Sequence, residues 1–279
     1  MRQGSNPNKS RAADTYGNIV LTVVTHLPVV GGYHGQRLNV IKASLESMRE
    51  NAGDARFQTL VWDNGSCDQL THWLKRSYQP DFLVTGYNLG KTTARKSILE
   101  MLPPDTIVGC ADDDMFYYPG WLDAHLEVFE TYPRVGTVSG WPVRTQHRFA
   151  NGYTKEWAKR AAVVEYGRFI SEQEDRDFCT SIGREYDWHV ETSANDMDVK
   201  ITYQGIETYG TGHHCQFIGI AGVLAPFEQF TIEAMRPERY FEEAIDRAGL
   251  LRLTTYKRYT RHIGNVLDPE LEELWQKLR

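Results

Sequence analysis

Three consecutive carboxylates, Asp112, Asp113 and Asp114, directly follow a short apolar run over residues 106–110. Adjacent carboxylates repel one another unless a cation lies among them. Their oxygen atoms favour a hard cation such as Mg²⁺ or Mn²⁺, which keeps open coordination positions that substrate phosphates can fill. A solvated acidic turn is the alternative interpretation, so the neighbouring sequence has to decide between the two.

Strands and helices alternate through the first half of the chain. Apolar and β-branched runs predict strands, and apolar residues recurring every three to four positions predict helices. The predicted strands cover residues 19–25, 57–62, 82–85 and 106–110, and the predicted helices cover 36–51, 68–78, 92–102 and 120–132. This alternation is typical of an α/β domain with a mostly parallel sheet and helices on both faces.

Polar side chains follow each predicted strand. His26, Asp63 and Asn88 follow the first three strands, and the Asp triplet follows the fourth. Ligands of open parallel sheets bind at the carboxyl ends of the strands. The sequence therefore predicts a binding site at this edge.

The regular alternation ends after about residue 141. Residues 143–212 are polar and aromatic with mixed charge, and the pattern predicts no strand there. We interpret this segment as an irregular insertion in a single domain, either a functional loop or a solvated decoration. Order returns with a predicted strand over 215–224, a helix over 237–249, a strand over 250–259 and a helix over 268–279.

Composition excludes several classes of protein. A net charge of −6 over 279 residues argues against a nonspecific nucleic-acid binder. The four scattered cysteines form no CxxC pair, which indicates free thiols and a cytoplasmic location. Since no apolar run approaches the roughly 20 residues that span a bilayer, we expect no transmembrane segment. Residues 1–16 are polar and predict a disordered tail.

Four segments, in order, resemble the GT-A fold glycosyltransferases, particularly the large inverting family 2. Each segment alone is weak, but the ordered set at family-like spacing is specific, and it covers residues 18–142. The segments are the first strand ending Val23-Val24-Thr25, residues 61–68 (similar to the family's "vvDNGSxD" turn), Asn88-Leu89-Gly90 with Ala94-Arg95 (similar to "NxGxxxAR"), and Asp112-Asp113-Asp114 with Pro119 (similar to the DxD motif and the helix start that follows it).

The resemblance implies a nucleoside-diphosphate sugar as donor, with UDP favoured. It also implies a Mn²⁺ or Mg²⁺ ion that neutralises the leaving diphosphate. Asp114 would bind this metal. Asp112 or Asp113 would contact the ribose or a metal-bound water, and Asp112 is the second candidate ligand.

The resemblance also assigns residues to the nucleotide. Asp63 would accept a hydrogen bond from the base, as in uracil recognition, and Thr25 would lie beneath the base. Lys91 and Arg95 are candidates to neutralise the phosphates or hold the nucleotide, although the position of each favours an ordinary surface cation at a helix start.

Histidines in the second half are further candidates. The family often has a late histidine that completes the metal site, about fourteen residues after a helix-ending glycine. Gly249 and His262 match that spacing, which makes His262 the candidate third ligand. His213 and His214 are the rival pair and could line the acceptor site.

Inverting transfer needs a general base that deprotonates the acceptor hydroxyl. The family places it in a Glu-Asp pair near the start of the helix before the late glycine, and this sequence has no such pair. Glu238 stands at the corresponding position and Glu242 one turn further on, so these two are the candidate bases. The departure leaves the base and the inverting outcome open.

The leading hypothesis is a metal-dependent glycosyltransferase. Residues 17–142 would bind the nucleotide sugar, and residues 143–279 would form the acceptor-binding half and the C-terminal helix of the same domain. The acceptor could be a glycan, a small molecule or a protein. The sugar, the linkage and the oligomeric state are not specified by the sequence.

Two alternatives remain open. A sugar-1-phosphate nucleotidyltransferase is disfavoured, because the loop after Thr25 has glycines but only Arg37 as a basic residue nearby. A catalytically degenerate protein that binds a glycan or a partner is favoured only by the missing Glu-Asp pair.

Overall fold

The computed structural model describes residues 19–228 and 237–279, so the predicted tail over residues 1–16 lies outside the described residues. The strands are β1 Ile19–Thr25, β2 Gln58–Asp63, β3 Phe82–Thr85, β4 Ile107–Asp112, β5 Met115–Tyr117, β6 Val135–Ser139, β7 Val163–Gly167, β8 Asp198–Tyr203, β9 Ile206–Tyr209, β10 Gln216–Ile220, β11 Leu251–Thr255 and β12 Thr260–His262.

The α-helices alternate with these strands in the first half, as predicted. They are α1 Arg37–Glu50, α2 Asp68–Trp73, α3 Lys91–Met101, α4 Trp121–Thr131, α5 Gly152–Ala161, α6 Glu172–Ser181, α7 Tyr186–Thr192, α8 Ala221–Leu224, α9 Pro237–Arg247 and α10 Pro269–Leu278. A π-helical turn over Leu74–Tyr78 continues α2. Among the helices of the described residues, none has the length and apolar content that crossing a membrane requires.

Ten strands form the central sheet in the order β3-β2-β1-β4-β10-β6-β11-β9-β8-β7. The first four strands of this order run parallel. β10 then pairs antiparallel with β4 and β6, β6 and β11 are parallel, and β9, β8 and β7 continue the sheet antiparallel. The register places Thr25 beside Asp63 and Val24 beside Asp112, so the polar strand ends meet at one edge, as expected.

Helices cover both faces of the parallel part of the sheet. Because successive side chains of a strand point to opposite faces, β1 contributes to an apolar cluster on each side. Leu21 and Val23 of β1 belong to the main core, together with Ile41 of α1. Val20 belongs to a separate cluster, with Ile98 of α3. The predicted α/β architecture is therefore confirmed.

Two predicted strands are shorter in the structure. The strand predicted over 215–224 ends at Ile220, and the chain turns into α8. A side chain at Gly222 would lie 2.7 Å from Pro104, so the backbone packs directly on the loop before β4. The strand predicted over 250–259 ends at Thr255, and β12 begins at Thr260.

Residues 143–212 contain three helices and three strands that the sequence pattern did not predict. Arg144 is central to their packing. Its guanidinium lies 2.6 Å from Asp198 and 3.0 Å from Asp175, and it donates to the carbonyl of Ile170 at 2.6 Å. Buried charges that pair with one another thus order a segment whose composition is polar.

Candidate active site

The Asp triplet lies at the turn between β4 and β5. β4 ends at Asp112 and β5 begins at Met115, so the rest of the triplet forms the turn. β5 pairs with β12, which places His262 opposite Met115, and the backbone N–H of Ile263 donates to the Asp114 carbonyl at 2.7 Å. As a result, His262 Nε2 lies 3.4 Å from Asp114 Oδ2.

Each carboxylate of the triplet has a cationic partner. Lys91 Nζ lies 2.6 Å from Asp112 Oδ1. Arg37 contacts the other two carboxylates, pairing with Asp113 through Nη2 and lying 3.0 Å from Asp114 Oδ2 through Nη1. The repulsion expected within the triplet is therefore offset by two basic side chains of the same chain.

The buried groups at this turn have shifted pKa values. Burial raises the pKa of Asp113 to about 6, although the charge of Arg37 opposes the shift. Burial also acts to raise the pKa of Asp114, but the hydrogen bond with His262 and the charges of His262 and Arg37 lower it to about 2. Burial lowers the pKa of His262, and its hydrogen bond and charge interaction with Asp114 outweigh this and raise it. Asp114 and His262 thus stabilise each other in their charged forms.

The pair formed by Asp114 and His262 fits a divalent cation. Their facing atoms are 3.4 Å apart, close to the roughly 3 Å between adjacent ligands of an octahedral ion. Asp114 Oδ1 and His262 Nδ1 are buried without a hydrogen-bond partner among the described residues, so both side chains have unused bonding capacity. The third expected ligand, Asp112, faces Lys91 instead, so the structure brings together two of the three expected ligands.

A cavity of about 370 Å³ opens beside the triplet at the carboxyl ends of the parallel strands. Its polar groups contact one another: Asn64 Nδ2 donates to Asn88 Oδ1 at 3.0 Å, and Asn88 Nδ2 lies 3.2 Å from His26 Nε2. Small-molecule sites commonly have such a volume and a few convergent polar groups. We call this space the donor-side cavity; it is lined by Val24, His26, Arg37, Asn64, Asn88, Gly90, Lys91, Asp112, Asp113 and Asp114.

Asp63 and Thr25 are not part of this lining. Asp63 is 3% exposed, and its carboxylate accepts hydrogen bonds from the Ser66 backbone N–H at 3.0 Å and from the Thr71 hydroxyl at 2.9 Å. Thr25 is fully buried beside it, and its hydroxyl has no partner among the described residues. Asp63 therefore shapes the turn after β2, and a contact with a base would have to use a remaining lone pair of its carboxylate.

The expectation that Arg95 holds the nucleotide needs correction. Arg95 is 4% exposed and donates from Nε and Nη2 to Glu228 Oε1 at 2.8 and 2.6 Å. Lys91, one helical turn earlier, does line the donor-side cavity. A buried charge must be paired, so Arg95 has a structural role, and its partner is too distant in sequence for the motif to indicate it.

The two candidate bases on α9 have different surroundings. Glu238 Oε1 lies 3.8 Å from Lys91 Nζ, which places it near the donor-side cavity. Glu242 is buried, with Oε1 2.7 Å from Arg252 and 3.3 Å from His214 Nδ1. Burial acts to raise the pKa of Glu242, but the charge of Arg252 and the contact with His214 lower it. Because a carboxylate held in this way is a weak proton acceptor, Glu238 is the more available of the two candidates.

A row of stacked rings connects His262 to the other two candidate histidines. Trp141 stacks on His262 with centroids 5.4 Å apart and contacts His213 at 4.5 Å, and His213 in turn stacks on His214 at 4.6 Å. Burial lowers the pKa of His213 well below its ordinary value, so its ring is neutral. His214 is the more exposed of the two, and thus the more accessible to an acceptor.

A second, larger cavity of about 680 Å³ shares Asp114 with the donor-side cavity. Apart from Tyr33 and Asp114, its lining comes from Asp177 and residues 180–183 and 261–268, and we call it the distal cavity. Gly264 has a φ of +78°, and a Cβ there would lie 2.4 Å from the Ser181 carbonyl oxygen. The loop after β12 therefore packs directly on the end of α6, and this contact helps to form the cavity.

Arg37 is a site residue that sequence reasoning did not assign. Only its position in the chain could have indicated this role, because it is the first residue of α1, after the loop that follows β1. Loops at this edge of a parallel sheet lead toward the ligand. Trp141 was also missed, because a tryptophan after a strand is ordinarily a core residue.

Several solved structures resemble this chain, each with a TM-score below 0.5. The mannosyltransferase PcManGT from Pyrobaculum calidifontis, in complex with GDP-Man and Mn²⁺, is 20% identical with a TM-score of 0.36, over 47% of this chain and 37% of that one. HddC from Yersinia pseudotuberculosis is 10% identical with a TM-score of 0.45, over 94% of this chain and 99% of that one. S. aureus TarS 1–349 is 12% identical with a TM-score of 0.48, over 93% of this chain and 63% of that one. Likenesses of this size carry no argument about substrate.

Sequence comparison is more informative at the level of the family. No curated protein sequence matches this chain. The family model described as glycosyl transferase family 2 matches residues 34–189, more than half of the chain, and includes the Asp triplet. The match favours the glycosyltransferase hypothesis over the nucleotidyltransferase. This chain therefore belongs to glycosyl transferase family 2, and it is a glycosyltransferase.

Proposed function

We propose that the enzyme transfers a sugar from a nucleoside-diphosphate sugar, with UDP as the expected carrier, to an acceptor hydroxyl. The observation that carries this proposal is the meeting of two cavities, of about 370 and 680 Å³, at Asp114. A transferase must hold its donor and its acceptor on either side of the group that moves. Two cavities that share one carboxylate provide this arrangement.

The positions of the lining residues in the chain support the assignment of one half to the donor and the other half to the acceptor. The donor-side cavity is lined only by residues between 24 and 114, which supports residues 17–142 as the nucleotide-sugar-binding half. The distal cavity is lined mainly by residues between 177 and 268, which supports residues 143–279 as the acceptor-binding half. His214, also in that half, is a candidate acceptor contact, with His213 behind it.

Charge supports a diphosphate as the ligand of the donor-side cavity. Lys91 and Arg37 line it, and each can turn from its present carboxylate partner to a phosphate oxygen. Asp114 and His262 would hold Mn²⁺ or Mg²⁺, with Asp112 as the remaining expected ligand. When bound, this ion neutralises charge that develops on the leaving diphosphate.

The base and ribose would lie over the strand ends. Asn64, Asn88 and His26 offer hydrogen-bonding groups in the lining, and Asp63 supports the turn that carries Asn64. Asp113 is the second candidate for a ribose contact, beside Asp112.

The proposed transfer step assigns a role to each of these positions. The acceptor oxygen bonds to C1 of the sugar as the bond from C1 to the diphosphate oxygen breaks, and that electron pair leaves with the nucleoside diphosphate. Glu238 accepts the hydroxyl proton, and Lys91, 3.8 Å from Glu238, supplies positive charge to the leaving group. Attack from the face opposite the leaving group inverts the configuration at C1.

For the acceptor and for the cellular location of the enzyme, we propose broad classes. The distal cavity is large enough for a glycan unit, a small molecule or a protein side chain. We place the enzyme in a reducing, cytoplasmic environment because its four cysteines are all free.

A thermal-shift comparison tests the donor site. UDP and GDP are added with and without Mn²⁺ to the wild type, to Asp114→Asn and to the matched control Asp68→Asn, whose carboxylate is exposed on α2. A ligand at 100 times its dissociation constant adds roughly 2.7 kcal/mol of stability. We expect UDP with Mn²⁺ to stabilise the wild type and Asp68→Asn but not Asp114→Asn. A wild type that responds to neither nucleotide would contradict the proposal, and so would an unchanged response of Asp114→Asn.

A further inference from the structure

We propose that His213, His214 and Cys215 form a binding site for a borderline divalent cation such as Zn²⁺, separate from the hard-cation site at Asp114 and His262. One ligand atom from each residue lies within 4.8 Å of the other two. A tetrahedral zinc ion holds adjacent ligands roughly 3.5 Å apart. The three side chains therefore need to close by only roughly 1 Å to bind one ion.

The donor atoms decide which ion this site favours. Two imidazoles and a thiol suit Zn²⁺ or Co²⁺, whereas carboxylate oxygens suit Mg²⁺ and Mn²⁺. The Asp triplet offers oxygen atoms, so the two sites differ in the class of cation they select. Three protein ligands leave a fourth coordination position open for water or substrate.

The groups behind the ligands hold them in place. Glu242 Oε1 lies 3.3 Å from His214 Nδ1, and Arg252 fixes this carboxylate at 2.7 Å. A carboxylate on one ring nitrogen leaves the other nitrogen free for a metal and raises its basicity. The Cys215 backbone N–H donates to His213 Nδ1 at 3.1 Å, so Nδ1 is the unprotonated ring nitrogen, and a metal bound there takes the place of this hydrogen bond.

The site is reachable from solvent and lies next to the donor-side cavity. His214 is partly exposed and gives access from solvent, while His213 is buried against Trp141. The backbone N–H of Asp112 donates to the Cys215 carbonyl at 2.8 Å, so the segment 213–215 is hydrogen-bonded directly to the strand that leads into the Asp triplet.

Cobalt is the probe that distinguishes the two sites, because only a thiolate ligand gives a sulfur-to-cobalt charge-transfer band. Co²⁺ is added to the reduced full-length protein in an excess of Mg²⁺, which occupies the carboxylate site. We expect one equivalent of Co²⁺ to produce the band and Zn²⁺ to abolish it. Cys215→Ser should lose the band, and Asp114→Asn should keep it.

Two further variants complete the test. Cys67→Ser changes another partly exposed free cysteine and should keep the band. His214→Gln alters a partly exposed side chain and should weaken Co²⁺ binding by more than about tenfold, which keeps the test decisive if Cys215→Ser does not fold. The proposal is overturned if the wild type shows no band, if Cys215→Ser retains it, or if His214→Gln binds Co²⁺ as tightly as the wild type.

Discussion

Strands β1 to β4 are apolar runs that pack against helices on both faces, whereas β7 to β9 combine apolar side chains of the same core, such as Val199 and Ile201, with buried charges. Arg144 pairs with Asp198 at 2.6 Å and Asp175 at 3.0 Å. Arg252 pairs with Glu242 at 2.7 Å and donates to the Gly212 carbonyl at 2.9 Å. Both halves thus contribute to one apolar core, and the second half depends in addition on a few buried arginines.

The difference has an energetic consequence. Apolar packing is non-directional and loses stability in proportion to the area removed from contact. Removing one partner of a buried ion pair leaves the other charge uncompensated and costs about 3–5 kcal/mol, against about 0.5–1.5 kcal/mol for the loss of one buried methylene group. We therefore expect single substitutions to act unequally on the two halves.

The largest expected effect is that of Arg144→Met. It leaves Asp175 and Asp198 buried without their cation, so the free energy of unfolding should fall by about 3–5 kcal/mol. Urea denaturation measures this change. The control is Arg160→Met, which removes an exposed pair with Glu156 and should change stability by less than about 1 kcal/mol. Equal effects of the two substitutions would show that the buried pairs do not order this half.

A smaller effect is expected from Gly264→Ala. The residue has a positive φ, and the added Cβ would meet the Ser181 carbonyl, so the free energy of unfolding should fall by about 1–3 kcal/mol. Gly205→Ala is the matched control, because Gly205 also has a positive φ but nothing within 4 Å of the added Cβ. Thermal unfolding of both variants separates the cost of the φ angle from the cost of the contact. If Gly264→Ala is no less stable than Gly205→Ala, the contact between the two loops is not tight.

The smallest effect is expected from Ile98→Val in the apolar half. Ile98 is fully buried with Val20 and Leu60, so loss of one methylene group should cost about 0.5–1.5 kcal/mol. Ile182→Val, at a residue that is 42% exposed, is the control and should be nearly neutral. Chemical denaturation compares them. A cost for Ile98→Val as large as that for Arg144→Met would remove the contrast between the halves.

The same contrast explains how much of the fold the sequence reveals. β1 was predicted with its observed bounds, since a run of mostly β-branched residues ahead of a predicted helix is a strong signal. β8 was not, because Lys200 and its neighbours look like a solvated segment. In the structure Lys200 pairs with Glu165 at 2.6 Å and Glu207 at 3.2 Å on the adjacent strands, so the charges themselves are part of the sheet.

The candidate site also contains residues that the sequence predicted and contacts that it did not. The Asp triplet was predicted from a motif at a strand end and Lys91 from a motif at a helix start, and the structure brings Lys91 within 2.6 Å of Asp112. The structure also brings His262 to Asp114, but through pairing of β5 with β12, each only three residues long and neither predicted. The true partner of Arg95 could not be predicted, because nothing local connects it to Glu228.

Calorimetric titration of UDP in the presence of Mn²⁺ tests the central claim, that the two halves bind different substrates that meet at Asp114. Lys91→Met removes a charged group from the donor-side cavity, and Ile182→Trp fills the distal cavity. Loss of a hydrogen bond to a charged group costs about 1.5–3 kcal/mol, so Lys91→Met should weaken UDP binding by roughly 10- to 100-fold. Ile182→Trp should leave it unchanged. If Ile182→Trp abolishes UDP binding while Lys91→Met does not alter it, the assignment of the two cavities is contradicted.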